Sequence, residues 1–150
     1  MSDQRQQAND MNRQVIEDFR ANGGVVDNAV GGFFKDKPVL ILHHTGAKTG
    51  QERLNPLVYA TDGDSYLVAG SKGGAPSDPH WLLNVRANPD VTVEVGVEEF
   101  PATATVIDDG PRRDELYAKL VAVMDQFADY ETMTDRRIPI VLLERTGEVA

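Results

Sequence analysis

Apolar residues recur along the chain in two rhythms, and the changes of rhythm divide it into elements. Ala8, Met11, Val15 and Phe19 stand three and four apart in a polar setting, which predicts an amphipathic helix over residues 3–21. Gly23-Gly24 stops it. Residues 25–37 form a Gly-rich connection with no clear period. Pro38 to His44 reads as a buried strand and Leu54 to Ala60 as its partner. Tyr66 to Gly70 follows the tight turn Thr61–Ser65 as a third strand, so the three are expected to form an antiparallel meander.

Further along, Ser71 to Ser77 reads as a loop. Asp78 is placed as an N-cap with Pro79 at the first position of a short helix carrying Trp81, Leu82 and Val85, which ends before Asn88-Pro89. Val91, Val93 and Val95 alternate with polar residues, and after a turn so do Phe100, Ala102, Ala104 and Val106. Leu116, Leu120, Met124 and Phe127 predict a helix over 111–127, with Asp114 and Glu115 in its first turn. Ile138 to Leu143 is a last apolar strand. About six strands and three helices result, and most strand connections are too short for parallel crossovers. The expected architecture is α+β: a mostly antiparallel sheet closing into a small barrel, with helices outside.

Composition narrows the class. A chain of 150 residues with 41% apolar residues suits one domain, 1–150, divided into an N-terminal helix (1–24) and a barrel core (38–145). With no cysteine there is no disulfide framework and no thiolate chemistry. The polar start MSDQRQQANDMNRQ lacks the apolar region of a secretory signal, and no apolar run approaches the ~18 residues of a membrane helix. A cytoplasmic protein is expected. The net charge of −9 argues against nucleic-acid binding. Yet residues 35–86 carry six cations (Lys35, Lys37, Lys48, Arg53, Lys72, Arg86) against five acids, a local +1 that leaves −10 elsewhere. A cationic middle in an acidic chain suggests a small anionic ligand.

Two loops could hold it. In HHTGAKTGQERLNP (His43–Pro56), Lys48 and Arg53 flank a turn with Gly46 and Gly50, and Thr45 and Thr49 add hydroxyls. Glycines let backbone N–H groups converge on an anion. The order is not that of a P-loop, and the spacing alone is better described as a polar hairpin with solvated charges. GSKGGAP (Gly70–Pro76) is a second Gly-rich loop with Lys72, close to a helix start. Trp81 reads as a core aromatic, and His80 and Asn84 as surface or capping residues. His43 and His44 are adjacent, but no acidic cluster has ligand spacing, so no metal is expected. Asp135 to Arg137 reads as a charged loop.

At these same residues the chain resembles a known family. HHTGAKTGQERLNPLVY, VAGSKGGAPSDPHWLLNVRANPDVTVEV and YETMTDRRIPIVLLER, spread from Pro38 to Arg145, look like the deazaflavin-dependent (coenzyme F-420-dependent) nitroreductases of actinobacteria. The resemblance implies a split β-barrel related to FMN-binding flavoproteins, and a reductase using a deazaflavin to reduce quinones, enones or nitro compounds. It places the cofactor's phosphate and acidic tail at Ala47, Lys48, Thr49 and Arg53. It places the ring along Leu54, Asn55, Pro56, Leu57 and Val58, with Ala69, Gly70, Ser71 and Lys72 beside it. His80, Trp81, Leu82, Leu83 and Asn84 close the pocket. Val58, Phe127, Tyr130 and Met133 face the acceptor, with Ser71 and Tyr130 as catalytic candidates. Where family members often carry Arg-Lys this chain has Ala47-Lys48, and where tyrosines line the substrate pocket it has Val58 and Phe127. A more apolar pocket implies a quinone or enone ahead of a nitroimidazole. An FMN-dependent reductase and a non-catalytic barrel for a flavin-like ligand remain open, as do monomer against homodimer and peripheral contact with a membrane.

Overall fold

The computed structural model describes residues 2–74 and 77–146. One seven-stranded antiparallel sheet runs in the order β2-β1-β5-β6-β7-β4-β3. The strands are β1 (Val39–Thr45), β2 (Glu52–Val58), β3 (Ala60–Asp62), β4 (Ser65–Ala69), β5 (Asp90–Val95), β6 (Glu98–Ile107) and β7 (Ile140–Arg145). β2 and β3 are the two edges of this sheet, yet only Tyr59 separates them in the chain. The sheet must therefore curl until its edges meet, which makes the barrel.

The predicted partner strand Leu54–Ala60 is accordingly two strands. Residues 52–58 pair with β1, Pro56 opposite Ile41, while Ala60 pairs with Leu67 of β4. Pro56 lacks an N–H and is tolerated because β2 is an edge. The meander holds in its order around the barrel. Its ladder is broken at Tyr59, whose N–H turns back to the Pro38 carbonyl at 3.1 Å.

β1 explains its unbroken apolar run by being buried on both faces. Leu40 and Leu42 point into the barrel with Val68, Val93, Phe100 and Leu143, and α3 (His80–Ala87) plugs that interior with Trp81, Leu82 and Val85. Val39 and Ile41 point outward, under α1 (Ser2–Ala21), α4 (Pro111–Val123) and α5 (Gln126–Thr132). Of the predicted α1 stripe, Val15 and Phe19 are buried, Met11 is half exposed, and the Ala8 side chain lies outside the described residues. The helix closes on Gly23 at φ 64°, with the Gly24 N–H on the Phe19 carbonyl at 2.8 Å. Gly24 also has no room for a side chain, since a Cβ there would lie 2.3 Å from the Gly96 Cα.

Two further expectations change. The predicted 111–127 helix breaks at Met124 (φ −147°), so α4 and α5 are separate. The stripe survives the break, because Leu116, Leu120, Met124 and Phe127 all remain buried and the Tyr117 hydroxyl donates to the Phe127 carbonyl at 2.6 Å. Asp78 is not an N-cap: Pro79 holds that position in extended backbone, and Asp78 instead accepts from Arg136 Nη1 at 2.9 Å. A short segment, α2 (Ala29–Gly32), precedes the barrel. The Asp18 carboxylate accepts the N–H groups of Asp27, Asn28 and Ala29 at 2.9–3.0 Å, bonds that hold its carboxyl below the usual range.

Because Phe19 is 1% exposed and joins α1 to the outer face of the barrel, Phe19→Ala is expected to cost about 3–5 kcal/mol. Urea unfolding of the variant checks this. A loss under about 1 kcal/mol would show that α1 is not part of the cooperative fold.

Candidate functional site

The β1–β2 turn is rigid at its neck and open at its tip. Gly46 N–H bonds the Gln51 carbonyl at 2.8 Å, and Gly50 N–H bonds the Gly46 carbonyl at 2.9 Å. Between them, the N–H groups of Lys48 and Thr49 have no partner among the described residues, and neither do the Lys48 and Arg53 side chains. This isolation is selective. Arg13, Arg20, Arg86, Arg112, Arg113, Lys119, Arg136, Arg137 and Arg145 all reach a carboxylate. Among described side chains the cations without one are Lys35, Lys37, Lys48, Arg53 and Lys72. The charge left uncompensated is thus the cationic middle seen in the sequence, less Arg86, which pairs with Asp108.

The neck is held from beneath by a buried relay. Asn84 Oδ1 accepts the Ala47 N–H at 2.9 Å, which fixes the orientation of its amide. Asn84 Nδ2 must then donate to His44 Nδ1, 3.0 Å away, and His44 Nε2–H donates to Asn55 Oδ1 at 2.8 Å. His44 is therefore neutral, protonated on Nε2. Burial pushes its pKa down, and the nearby charges of Arg53 and His43 add to this against the contrary pull of Asn55. Asn84, expected at the surface or as a cap, is a buried strut between α3 and the turn.

Three residues beyond Arg53, β2 enters a cleft of about 220 Å³. Pro56, Leu57, Val58, Ala69, Ser71, Lys72 and Trp81 line it together with Phe33, Phe34, Met124, Phe127 and Tyr130. The loop after β4 is pinned by Arg136, whose Nη2 donates to the carbonyls of Gly70 and Ser71 at 2.9 and 3.0 Å. Lys72 stands in left-handed backbone (φ 48°), a costly conformation for a lysine. The Ser71 hydroxyl has no hydrogen bond among the described residues. Burial, with Asp129 nearby, raises the Tyr130 hydroxyl above its ordinary value, so it stays protonated at neutral pH.

Of the other candidates, Ala47, Lys48 and Thr49 form the turn tip, and Leu54 and Asn55 lie between tip and cleft. Gly70 packs against Leu82, which is fully buried in the barrel plug. His80 and Leu83 face outward, and Met133 is 62% exposed, behind Gly74 rather than in the cleft wall. Ala75 and Pro76 of the second loop lie outside the described residues. Sequence reasoning missed Phe33, Phe34, the His44 relay and Arg136. An adjacent aromatic pair in a Gly-rich connection was the one available signal.

Two other features lie apart from this cleft. A larger cavity, about 350 Å³, lies against α4 and is lined by Arg113, Asp114, Glu131 and Arg137 among others. Its charges answer one another: Arg113 Nη1 meets Asp114 at 3.0 Å, and Nη2 lies 2.9 Å from Glu131 though outside hydrogen-bond geometry. The sheet register also gathers His43, Glu94 and Glu99, with one ligating atom of each within 4.8 Å of the others, an acidic group that sequence spacing did not reveal. Arg20 takes both Glu94 oxygens, at 3.2 and 2.7 Å, so that carboxylate is already engaged.

Comparison with known proteins adds to this geometry. A family model described as F-420H(2)-dependent quinone reductase matches residues 11–145. An F-420H(2)-dependent quinone reductase of Mycobacterium tuberculosis is 39% identical over 132 residues, 85% of each chain. A solved F-420H(2)-dependent reductase, FDR-A, has a TM-score of 0.66 and 37% identity, covering 71% of this chain and 94% of its own. Another structure, described as a domain-swapped dimer, has a TM-score of 0.68 and 33% identity, covering 86% and 95%. The heme storage protein HutZ of Vibrio cholerae shares the fold alone, at a TM-score of 0.59 and 13% identity over 75% of this chain and 84% of its own. The architecture is a split β-barrel.

The relay carries a pH signature. His44 has a lowered folded pKa, so the unfolded chain binds the extra proton first. Stability is expected to decline as pH falls below about 6.5, and this component should vanish in His44→Gln. Unfolding midpoints of both proteins between pH 5 and 8 test it (roughly the range in which histidine titrates); parallel profiles would refute the neutral assignment.

Proposed function

The chain belongs to the F-420H(2)-dependent quinone reductase family, and we propose that its two loops and cleft bind the reduced deazaflavin so that a quinone can take hydride from it. The enzyme is a coenzyme F-420-dependent reductase. The observation that carries the site assignment is the set of uncompensated donors at the β1–β2 turn.

The residues present suit that cofactor. Its phosphodiester and carboxylates call for cations and free N–H groups, which Lys48, Thr49 and Arg53 supply. Its flat ring calls for an apolar slot, which Pro56 to Val58 and Trp81 supply. An extended strand advances about 3.3 Å per residue, so Arg53 and Pro56 lie roughly 10 Å apart, which suits a tail on the turn and a ring in the cleft. When bound, the reduced cofactor supplies hydride from a ring carbon. Asn84 and His44 hold the turn at a fixed height. Arg136 holds the carbonyls of Gly70 and Ser71, and Ser71 and Lys72 line the cleft. Negative charge that gathers on the acceptor oxygen is met there. Tyr130, protonated at neutral pH like any ordinary phenol, gives that oxygen its proton.

The cleft wall is apolar apart from Lys72, Ser71 and Tyr130, which favours a quinone or enone over a nitroimidazole. Among the described residues no helix is long and apolar enough to cross a membrane. We place the enzyme in the cytoplasm, with loose contact at a membrane where its acceptor is a membrane quinone. Following the relative described as a domain-swapped dimer, a homodimer is the assembly we propose.

Titration with oxidised coenzyme F-420, and separately with FMN, tests the reading. Saturable deazaflavin binding is expected, weakened at least about tenfold in Lys48→Ala/Arg53→Ala and weakened further by salt. Tight binding of FMN alone would assign the protein to flavin chemistry, and binding of neither would remove the enzyme assignment. Tyr130→Phe is expected to lower kcat about a hundredfold at unchanged cofactor affinity. Unchanged turnover of every acceptor tried would sink its role as proton donor.

A further inference from the structure

We propose that Phe33 is the platform on which the acceptor lies, and that it makes the enzyme select flat, uncharged acceptors of two fused rings over compact ones. The proposal rests on the reductase reading above and assigns the acceptor side of the same cleft.

Three observations converge on this residue. First, Phe33 lines the cleft while remaining 44% exposed. An aromatic ring left half in water forgoes much of the stabilisation its burial would give. Second, the ring is held in place. Phe34 meets it edge-on at 4.9 Å and 88°. The Lys37 ammonium donates to the Phe33 carbonyl at 2.9 Å and lies 5.3 Å from the ring centroid. Lys37 has no carboxylate partner among the described residues, so its bond and ring contact are both with Phe33.

Third, the backbone that presents the ring is strained. Val30, Gly31 and Gly32 take φ values of 46°, 70° and 77° in succession, and Asp36 follows at 64°. Glycine accepts this region freely, but a β-branched valine there is an outlier that costs stability. The surrounding structure sustains the strain: Asp18 accepts three consecutive N–H groups just before it. A strained segment, anchored at its entry and ending in a fixed, half-exposed ring at a cleft, is a ligand surface rather than a core contact.

The rest of the lining supports the same ligand chemistry. Met124, Phe127 and Tyr130 face the cleft, with Phe127 and Tyr130 edge-on at 5.8 Å. Lys72 is the one formally charged side chain among the lining residues. An acceptor in this cleft gains by being flat and apolar and loses by carrying charge. A bicyclic quinone covers Phe33 more fully than a single small ring does.

The test compares menadione with cyclohexenone at saturating reduced deazaflavin, using Phe33→Ala and the conservative Phe33→Leu. In Phe33→Ala the KM for menadione is expected to rise about fivefold, with kcat, the KM for cyclohexenone and the deazaflavin affinity each within roughly twofold. Phe33→Leu, which retains apolar area without a ring face, is expected to fall between. Equal rises for both acceptors, no rise for either, or a weakened deazaflavin affinity would overturn the proposal. Absence of deazaflavin binding in the unsubstituted protein would instead overturn the reductase reading, so the two failures are separable.

Discussion

Everything at the candidate site depends on a single residue's width of chain. β2 and β3 stand at opposite ends of the sheet order and are joined through Tyr59 alone. Backbone geometry forbids a flat sheet under that constraint, because one residue spans only about 3.5 Å. Closure brings the exit of β2 beside β4, and so brings Pro56–Val58 beside Ala69–Lys72. Two stretches that look independent in sequence come to line one cleft.

Charge follows the same plan. The acidic chain neutralises its cations nearly everywhere: Asp62 serves Arg112 and Lys119, and Asp114 serves Arg113 and Arg137. Exposed pairs of this kind add little stability each. Their consequence is contrast, since the β1–β2 turn stands out as a place where positive charge and backbone N–H groups are left open to an anion. The neutral His44 relay beneath it is consistent with that role, because a protonated imidazole would leave two donors facing each other at Nδ1.

Local pattern carried much of this. The α1 stripe, the β1–β2 hairpin, the α3 plug and the alternating β5 and β6 are legible because each is set by residues close in sequence. The cationic turn is legible for the same reason. The break at Tyr59 was not, since it answers to closure of the whole sheet. Asn84 and Arg136 read as surface polar residues because their partners, Ala47 and Gly70–Ser71, are 37 or more positions away. Phe33 escaped because left-handed backbone has no apolar rhythm to betray it. His43, Glu94 and Glu99 meet only through the strand register. The family resemblance supplied what local physics did not, a ligand for the turn.

The Arg136 clamp also bears on how the protein is made. A chain emerging from the ribosome presents β4 and the Ser71 loop long before β7, the neighbour that β4 pairs with, and before the guanidinium that holds the loop's carbonyls. Until the last strand is released, β4 and β6 each lack the neighbour that β7 supplies, and unpaired edges of this kind invite association between nascent chains. The Ser71 loop is thus among the last parts to become ordered. A message cut short before the codons for β7 yields a barrel with an open seam, in which ligand cannot rescue folding because the pocket that would receive it has not formed.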